Sequence, residues 1–185
     1  MSFIFLQKLA IQISKMPTPQ EYLASPKWVE KMKQSFTILD RNKNGYLSQE
    51  DWTVLVDTLK KLVKMGPGEE EKLREVYVKY AAALGAKPGV RLDVDDYLQS
   101  VAKFASNQEE SRKLLAEVNK ASFAVIDTND DGTISLVEYT KICEASNMTA
   151  DIAKATFDAI DKNHNGKVEL KELAALDDKF WFSLD

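Results

Sequence analysis

Phe123-Ala-Val-Ile-Asp127-Thr-Asn-Asp-Asp-Gly-Thr-Ile-Ser-Leu-Val-Glu138 is the stretch that decides how this chain folds. Phe123 stands four residues before Asp127 and Ile126 directly before it, which marks one face of an incoming helix. Side-chain oxygens then recur at alternate positions, on Asp127, Asn129 and Asp131. Gly132 follows at the sixth position, aliphatic Ile134 at the eighth and Glu138 at the twelfth. A fresh apolar periodicity begins at Tyr139. The pattern predicts a helix, a twelve-residue loop lined with oxygen and a second helix.

The same scheme returns at Phe36-Thr-Ile-Leu-Asp40 and at Phe157-Asp-Ala-Ile-Asp161, with outgoing periodicities from Trp52 and Leu173. Repeats of this kind are read as units of one architecture. Between Asp40 and Asp127 there is room for another unit, and its remnant is Gly85-Ala-Lys-Pro-Gly-Val-Arg-Leu-Asp-Val-Asp-Asp96. Leu92 takes the eighth position and Asp96 the twelfth, but Gly85, Lys87 and Gly89 offer no oxygen at the first, third and fifth. This loop is expected to hold no metal. It is expected to survive as a pairing partner, with Leu47 meeting Leu92 and Ile134 meeting Val168.

Calcium is a hard cation that takes six to eight oxygens, and a twelve-residue loop supplies them from positions 1, 3, 5, 7, 9 and 12. Glycine at position 6 permits the sharp turn, and position 7 gives a backbone carbonyl. The candidate ligands are Asp127, Asn129, Asp131, the Thr133 carbonyl and Glu138 in one loop. In the next they are Asp161, Asn163, Asn165, the Lys167 carbonyl and Glu172. In the first they are Asp40, Asn42, Asn44, the Tyr46 carbonyl and Asp51. Ser48, Ser135 and Glu169 stand at position 9. Asp51 is one methylene shorter than glutamate, so lower coordination and better tolerance of magnesium, which prefers six ligands, are expected at the first loop. With two carboxylates, Asp40 and Asp51, against three in each of the others, it is also expected to be the weakest of three calcium sites.

The expected fold is all-α: four helix-loop-helix units in two pairs, the second loop vestigial, in one compact globule. Residues 1–25 form an apolar helical extension, with Phe3, Ile4, Phe5, Leu6, Leu9 and Ile13 on one face. Residues 26–105 form the first pair, with loop 40–51 active and loop 85–96 vestigial. Residues 106–185 form the second pair, with active loops 127–138 and 161–172. Pro26 suits the first turn of a helix, Ser106 or Asn107 suits a helix cap, and Met65-Gly-Pro-Gly68 reads as a break.

Composition narrows the function. The net charge of -4 and the lack of a basic run argue against a nucleic-acid partner. The N-terminal apolar run lacks a basic flank and a cleavage pattern and is too short to span a bilayer, so neither a signal peptide nor stable membrane insertion is expected. Cys143 stands alone in an apolar stretch and reads as buried, and His164 falls on an exposed loop position. With no second histidine and no phosphate-cradling glycine loop, an enzyme is not expected.

The loops identify the chain as resembling the EF-hand proteins. Ser25-Pro-Lys-Trp-Val-Glu-Lys-Met-Lys-Gln-Ser-Phe36, the first loop closed by Asp51, the vestigial second loop, Phe157-Asp-Ala-Ile-Asp161 and the tail Lys179-Phe-Trp-Phe-Ser183 resemble the invertebrate sarcoplasmic calcium-binding proteins. That resemblance implies a compact four-unit fold and a cytoplasmic calcium and magnesium buffer; a monomer is expected. Leu84-Gly-Ala-Lys-Pro-Gly-Val-Arg91 resembles the coelenterazine-binding proteins, and Phe180-Trp-Phe-Ser-Leu-Asp185 the tail of the calcium-regulated photoproteins. Photoproteins rely on a histidine just before that tail, where this chain has Asp177 and Asp178. This resemblance therefore implies binding of an apolar ligand such as coelenterazine without self-contained light emission.

The buffer is the leading expectation, supported by scarce methionine, since target-binding sensors favour Met-rich grooves. The alternatives are a calcium sensor that engages a protein partner through its apolar ends, and a calcium-regulated binder of a small apolar ligand lined by Trp28, Trp52, Tyr97 and Trp181.

Overall fold

The helix starts are written in capping residues. Thr18 and Glu21 close a reciprocal capping box at the start of α1 (Pro19–Ala24). Ser25 accepts from the Trp28 N–H to open α2 (Pro26–Leu39), with Pro26 at its first turn as expected. The computed structural model describes residues 16–66, 68–146 and 148–185. The expected helical face at Phe3 to Ile13 lies outside the described residues.

Beyond α2 the chain runs through α3 (Gln49–Leu62), α4 (Glu69–Ala83), α5 (Val94–Ser106) and α6 (Gln108–Ile126). The strand β1 (Ile134–Ser135) leads into α7 (Leu136–Ala145) and α8 (Ala150–Ile160), then β2 (Lys167–Val168) into α9 (Leu170–Phe182). The Met65–Gly68 break falls between α3 and α4 as the glycines predict, and Asn107 stands at the cap of α6 without a side-chain bond to it.

The eighth positions pair as the repeats require. Leu47 and Leu92 exchange both backbone hydrogen bonds, at 2.8 and 2.9 Å, and Ile134 faces Val168 in the antiparallel β1–β2 ribbon. Each pairing ties two loops together, so the four units form two couples around an all-helical core.

One large core cluster takes in residues from α1 through α6 together with Ala145, Trp181 and Phe182. A smaller one sits under the second ribbon, around Ile126, Ile134, Phe157, Ile160 and Val168. Trp28, Trp52, Tyr22 and Tyr97 are essentially inaccessible to solvent. Burying a large apolar side chain in this way contributes about 1.5–3 kcal/mol. Cys143 is buried, as its apolar surroundings predict.

The C-terminal tail is held by side chains from the opposite end of the chain. Trp28 donates its indole N–H to the Trp181 carbonyl at 3.0 Å, and the Tyr22 hydroxyl donates to the Phe182 carbonyl at 3.2 Å. Lys31 donates to Ser183 and the Ser25 hydroxyl to Leu184. These carbonyls have no partner within the helix, so donors from α1 and α2 satisfy what α9 cannot.

Candidate metal centre

Three loops share one backbone. Lys43, Asp130 and His164 at position 4 all have φ of 55°, and Gly45, Gly132 and Gly166 at position 6 lie between 77° and 81°. Glycine populates that left-handed region without the cost a Cβ brings. His164 is exposed on its loop.

Within each loop the candidate ligands are held by backbone N–H groups. Asp40, Asp127 and Asp161 each accept from position 5 at 3.1 Å and from the position-6 glycine at 2.8–2.9 Å. Asn42, Asn129 and Asn163 at position 3 accept from the position-5 N–H. Asn44, Asp131 and Asn165 at position 5 accept from the position-7 N–H of Tyr46, Thr133 and Lys167. Backbone N–H groups thereby fix the orientation of these carboxylates and amides.

The twelfth-position carboxylates are buried and bridge the loop. Glu138 accepts from the Thr128 N–H and from the Ser135 N–H, both at 2.9 Å. Glu172 does the same with Lys162 and Glu169, both at 3.0 Å. Asp51 reaches the matching donors on Arg41 and Ser48, at 3.1 and 2.9 Å, despite its shorter arm. Positions 9 and 12 are also the cap and third residue of the outgoing helix, so each loop closes with the start of α3, α7 or α9. Burial alone would raise the Glu138 pKa, but the bonds from Ser135 and Thr128 outweigh it and hold the carboxyl below its ordinary value.

Among the described residues no three Asp, Glu, His or Cys side chains gather on one point. The loops instead mix carboxylates with Asn amides and backbone carbonyls, the hard-oxygen set that suits calcium. By donor type and spacing the residues of the three loops fit that ion.

Loop 85–96 differs where the chemistry needs it. Gly85 has φ of 101°, and a Cβ there would meet the Ser100 hydroxyl at 2.5 Å. Asp96 is exposed, and Asp93 takes over the cap of α5 by accepting from the N–H groups of Asp95 and Asp96.

Two contacts around the loops carry no sequence signal. Lys167, at position 7 of its own loop, crosses the β1–β2 ribbon and donates to Asp131 of the neighbouring loop at 3.0 Å. The Thr133 hydroxyl and then Lys167 pull the Asp131 carboxyl down to about 2. The Arg41 guanidinium reaches the end of α7, donating to the Ala145 carbonyl and the Ser146 hydroxyl. The ribbon register, with Ser135 opposite Lys167, is the one clue from which the first contact follows.

The interior between the loop pairs is aromatic. Trp181 lies edge-on to Tyr80, Phe104 and Phe180, with ring centroids 6.3, 5.2 and 4.9 Å away. Trp28 packs on Tyr22 at 5.0 Å. Nearby, between α6 and α9, a cleft of about 230 Å³ is lined by Asn119, Asp177 and Arg112. Burial pushes the Asp177 carboxyl up to about 6, offset in part by the Asn119 amide that donates to it.

A helix-loop-helix repeat with paired twelve-residue loops defines an EF-hand protein, and the comparisons agree. The family description of an EF-hand domain pair matches residues 116–176, and that of an EF hand matches residues 32–56. The chain carries EF-hand domains over those residues, within an all-helical EF-hand fold.

Its relatives are more particular. It is 27% identical over 118 residues to the luciferin-binding protein of Renilla reniformis, a match that covers 63% of this chain and 64% of that protein. It is 26% identical over 126 residues to aequorin-1 of Aequorea victoria, again over 63% of this chain and 64% of the relative. The match thus spans just under two thirds of the length of either relative. Among solved structures, calcium-loaded apo-aequorin superposes with a TM-score of 0.74 at 23% identity, over 86% of this chain and 93% of that one. Calcium-loaded apo coelenterazine-binding protein from Renilla muelleri superposes with a TM-score of 0.66 at 26% identity, over 85% and 88%. No helix among the described residues is long and apolar enough to cross a membrane.

Proposed function

We propose that this protein is a calcium-regulated binder of a small apolar, aromatic ligand of the coelenterazine type. Calcium enters at loops 40–51, 127–138 and 161–172, and magnesium competes best at the first, whose twelfth residue is Asp51. The observation that carries the reading is the construction of the aromatic interior on the outgoing helix of a calcium loop. Trp181 belongs to α9, which begins at loop 161–172 with Glu172 in its first turn. A change at that loop therefore acts on the wall of the ring cluster. The likeness to proteins named for binding luciferin and coelenterazine supports the same reading over the buffer.

The buffer stands as the second reading, for one reason. The rings of Trp181, Phe104 and Tyr80 already touch one another, so an interior ligand must displace them.

Tryptophan fluorescence separates the two. Trp28, Trp52 and Trp181 are all buried, and a ligand among them quenches their emission. Titration with coelenterazine at micromolar levels is expected to quench saturably, with an affinity that differs about tenfold or more between calcium-free and calcium-loaded protein. Absence of quenching in both states, together with calcium uptake seen by calorimetry, overturns the ligand reading and leaves the buffer.

A further inference from the structure

The three loops put their second-position side chains to different uses. In loop 127–138 the Thr128 hydroxyl folds back onto its own Glu138 at 2.9 Å. In loop 161–172 Lys162 is exposed. In loop 40–51 Arg41 leaves its loop and crosses to the other couple of units. Its guanidinium donates to the Ala145 carbonyl and to the Ser146 hydroxyl, at the C-terminal end of α7.

That end suits a cation, because the last carbonyls of a helix are unpaired and carry the negative pole of its dipole. Arginine suits the place because its planar fork meets two acceptors at once, which lysine's single ammonium does less well. Arg41 is half-buried.

Both ends of this contact lead to a calcium ligand. The backbone N–H of Arg41 holds Asp51, the twelfth residue of loop 40–51. The first turn of α7, ten residues long, carries Glu138, the twelfth residue of loop 127–138. A helix that short moves as a rigid lever, so a shift of Glu138 at one end is felt at Ala145 and Ser146 at the other.

We infer that Arg41 couples the first two active loops, so that calcium bound at loop 127–138 favours calcium at loop 40–51 and the reverse. Arg41 acts here as a positioning residue. The inference rests on calcium entering both loops.

The test uses the full chain with loop 161–172 silenced by Glu172→Gln. Calorimetry gives the calcium affinity of loop 40–51 with loop 127–138 intact and with that loop silenced by Glu138→Gln. In the parent, silencing is expected to weaken loop 40–51 by about five- to tenfold, and in Arg41→Met the two affinities are expected to agree within about twofold. In metal-free protein, amide exchange at Ser146 and Met148 is expected to rise about threefold or more in Arg41→Met, because those N–H groups close the end of α7 on Ile142 and Cys143. Should Arg41→Met lose its helical signal, Ser146→Ala removes one of the two contacts from the other side and should reduce the coupling. Coupling that persists unchanged in a folded Arg41→Met chain overturns the inference. Absence of calcium heat in the parent overturns the calcium reading beneath it, and so the two failures are distinct.

Discussion

Loops 40–51 and 85–96 are partners in one β-bridge, yet only the first brings the oxygen donors of its first and twelfth positions inward. Leu47 and Leu92 contribute equally to the bridge, through backbone bonds and buried side chains. The difference lies at the two ends of each loop. Asp40 accepts from two N–H groups of its loop, and Asp51 is buried across it. Gly85 lies against Ser100, and Asp96 faces solvent. Pairing therefore does not require the donor arrangement: the eighth position keeps the architecture in both loops, while the first and twelfth positions differ between them.

The most forceful way to break the comparison is to give the active loop the partner's first residue. Asp40→Gly removes a carboxylate and the acceptor that shapes the turn. Calcium affinity at that loop is expected to fall about a hundredfold, seen as the loss of one calorimetric site. The Leu47–Leu92 bridge should survive, seen as unchanged amide exchange at both residues. Loss of the bridge along with the site would mean that pairing depends on ligation after all.

The reverse substitution is expected to fail. Gly85→Asp adds a carboxylate, but its Cβ meets Ser100 in a backbone conformation that side chains rarely adopt. It should add no calcium site and should destabilise the fold by about 1–3 kcal/mol in urea unfolding. A new calcium site in this variant would contradict the reason given for the silence of loop 85–96.

The smallest effect sharpens the picture within the second couple. Lys167→Ala keeps the position-7 carbonyl but removes the cation that neutralises Asp131. Calcium at loop 127–138 is expected to bind about two- to fivefold more tightly, a modest change because an exposed ion pair is weak. Unchanged or weaker affinity in calorimetry would show that Lys167 does not compete for Asp131.

The loops were legible because all of their determinants lie within twelve residues. Alternating oxygens, a glycine at the turn and an aliphatic eighth position dictate local backbone, and the pairing of Ile134 with Val168 follows from the repeat itself. The missing oxygens of loop 85–96 were legible from composition, but the close approach of Ser100 to Gly85 was not, because it arises only through the packing of α5. Arg41 at Ala145 and Lys167 at Asp131 were hidden for the same reason: long side chains choose partners after the helices have met. Asp51 accepts from the same pair of N–H donors that glutamate reaches in the other loops, because the first turn of α3 brings it there. Sequence alone offers Trp28, Trp52, Tyr97 and Trp181 as the lining of one ligand site; all four are buried, but Trp28 packs on Tyr22, Tyr97 on Phe36 and Trp181 on Tyr80 and Phe104, partners set by tertiary packing.

The grip of α1 and α2 on the C-terminal tail has a bearing on how the chain is made. Tyr22 and Trp28 find their acceptors 160 and 153 residues downstream. Closing so long a span comes late in folding, because its entropic cost is met only after nearer contacts exist. On the ribosome the first helices emerge long before their partners have been translated. The apolar face of α1 and α2 therefore stays uncovered until α9 has been made.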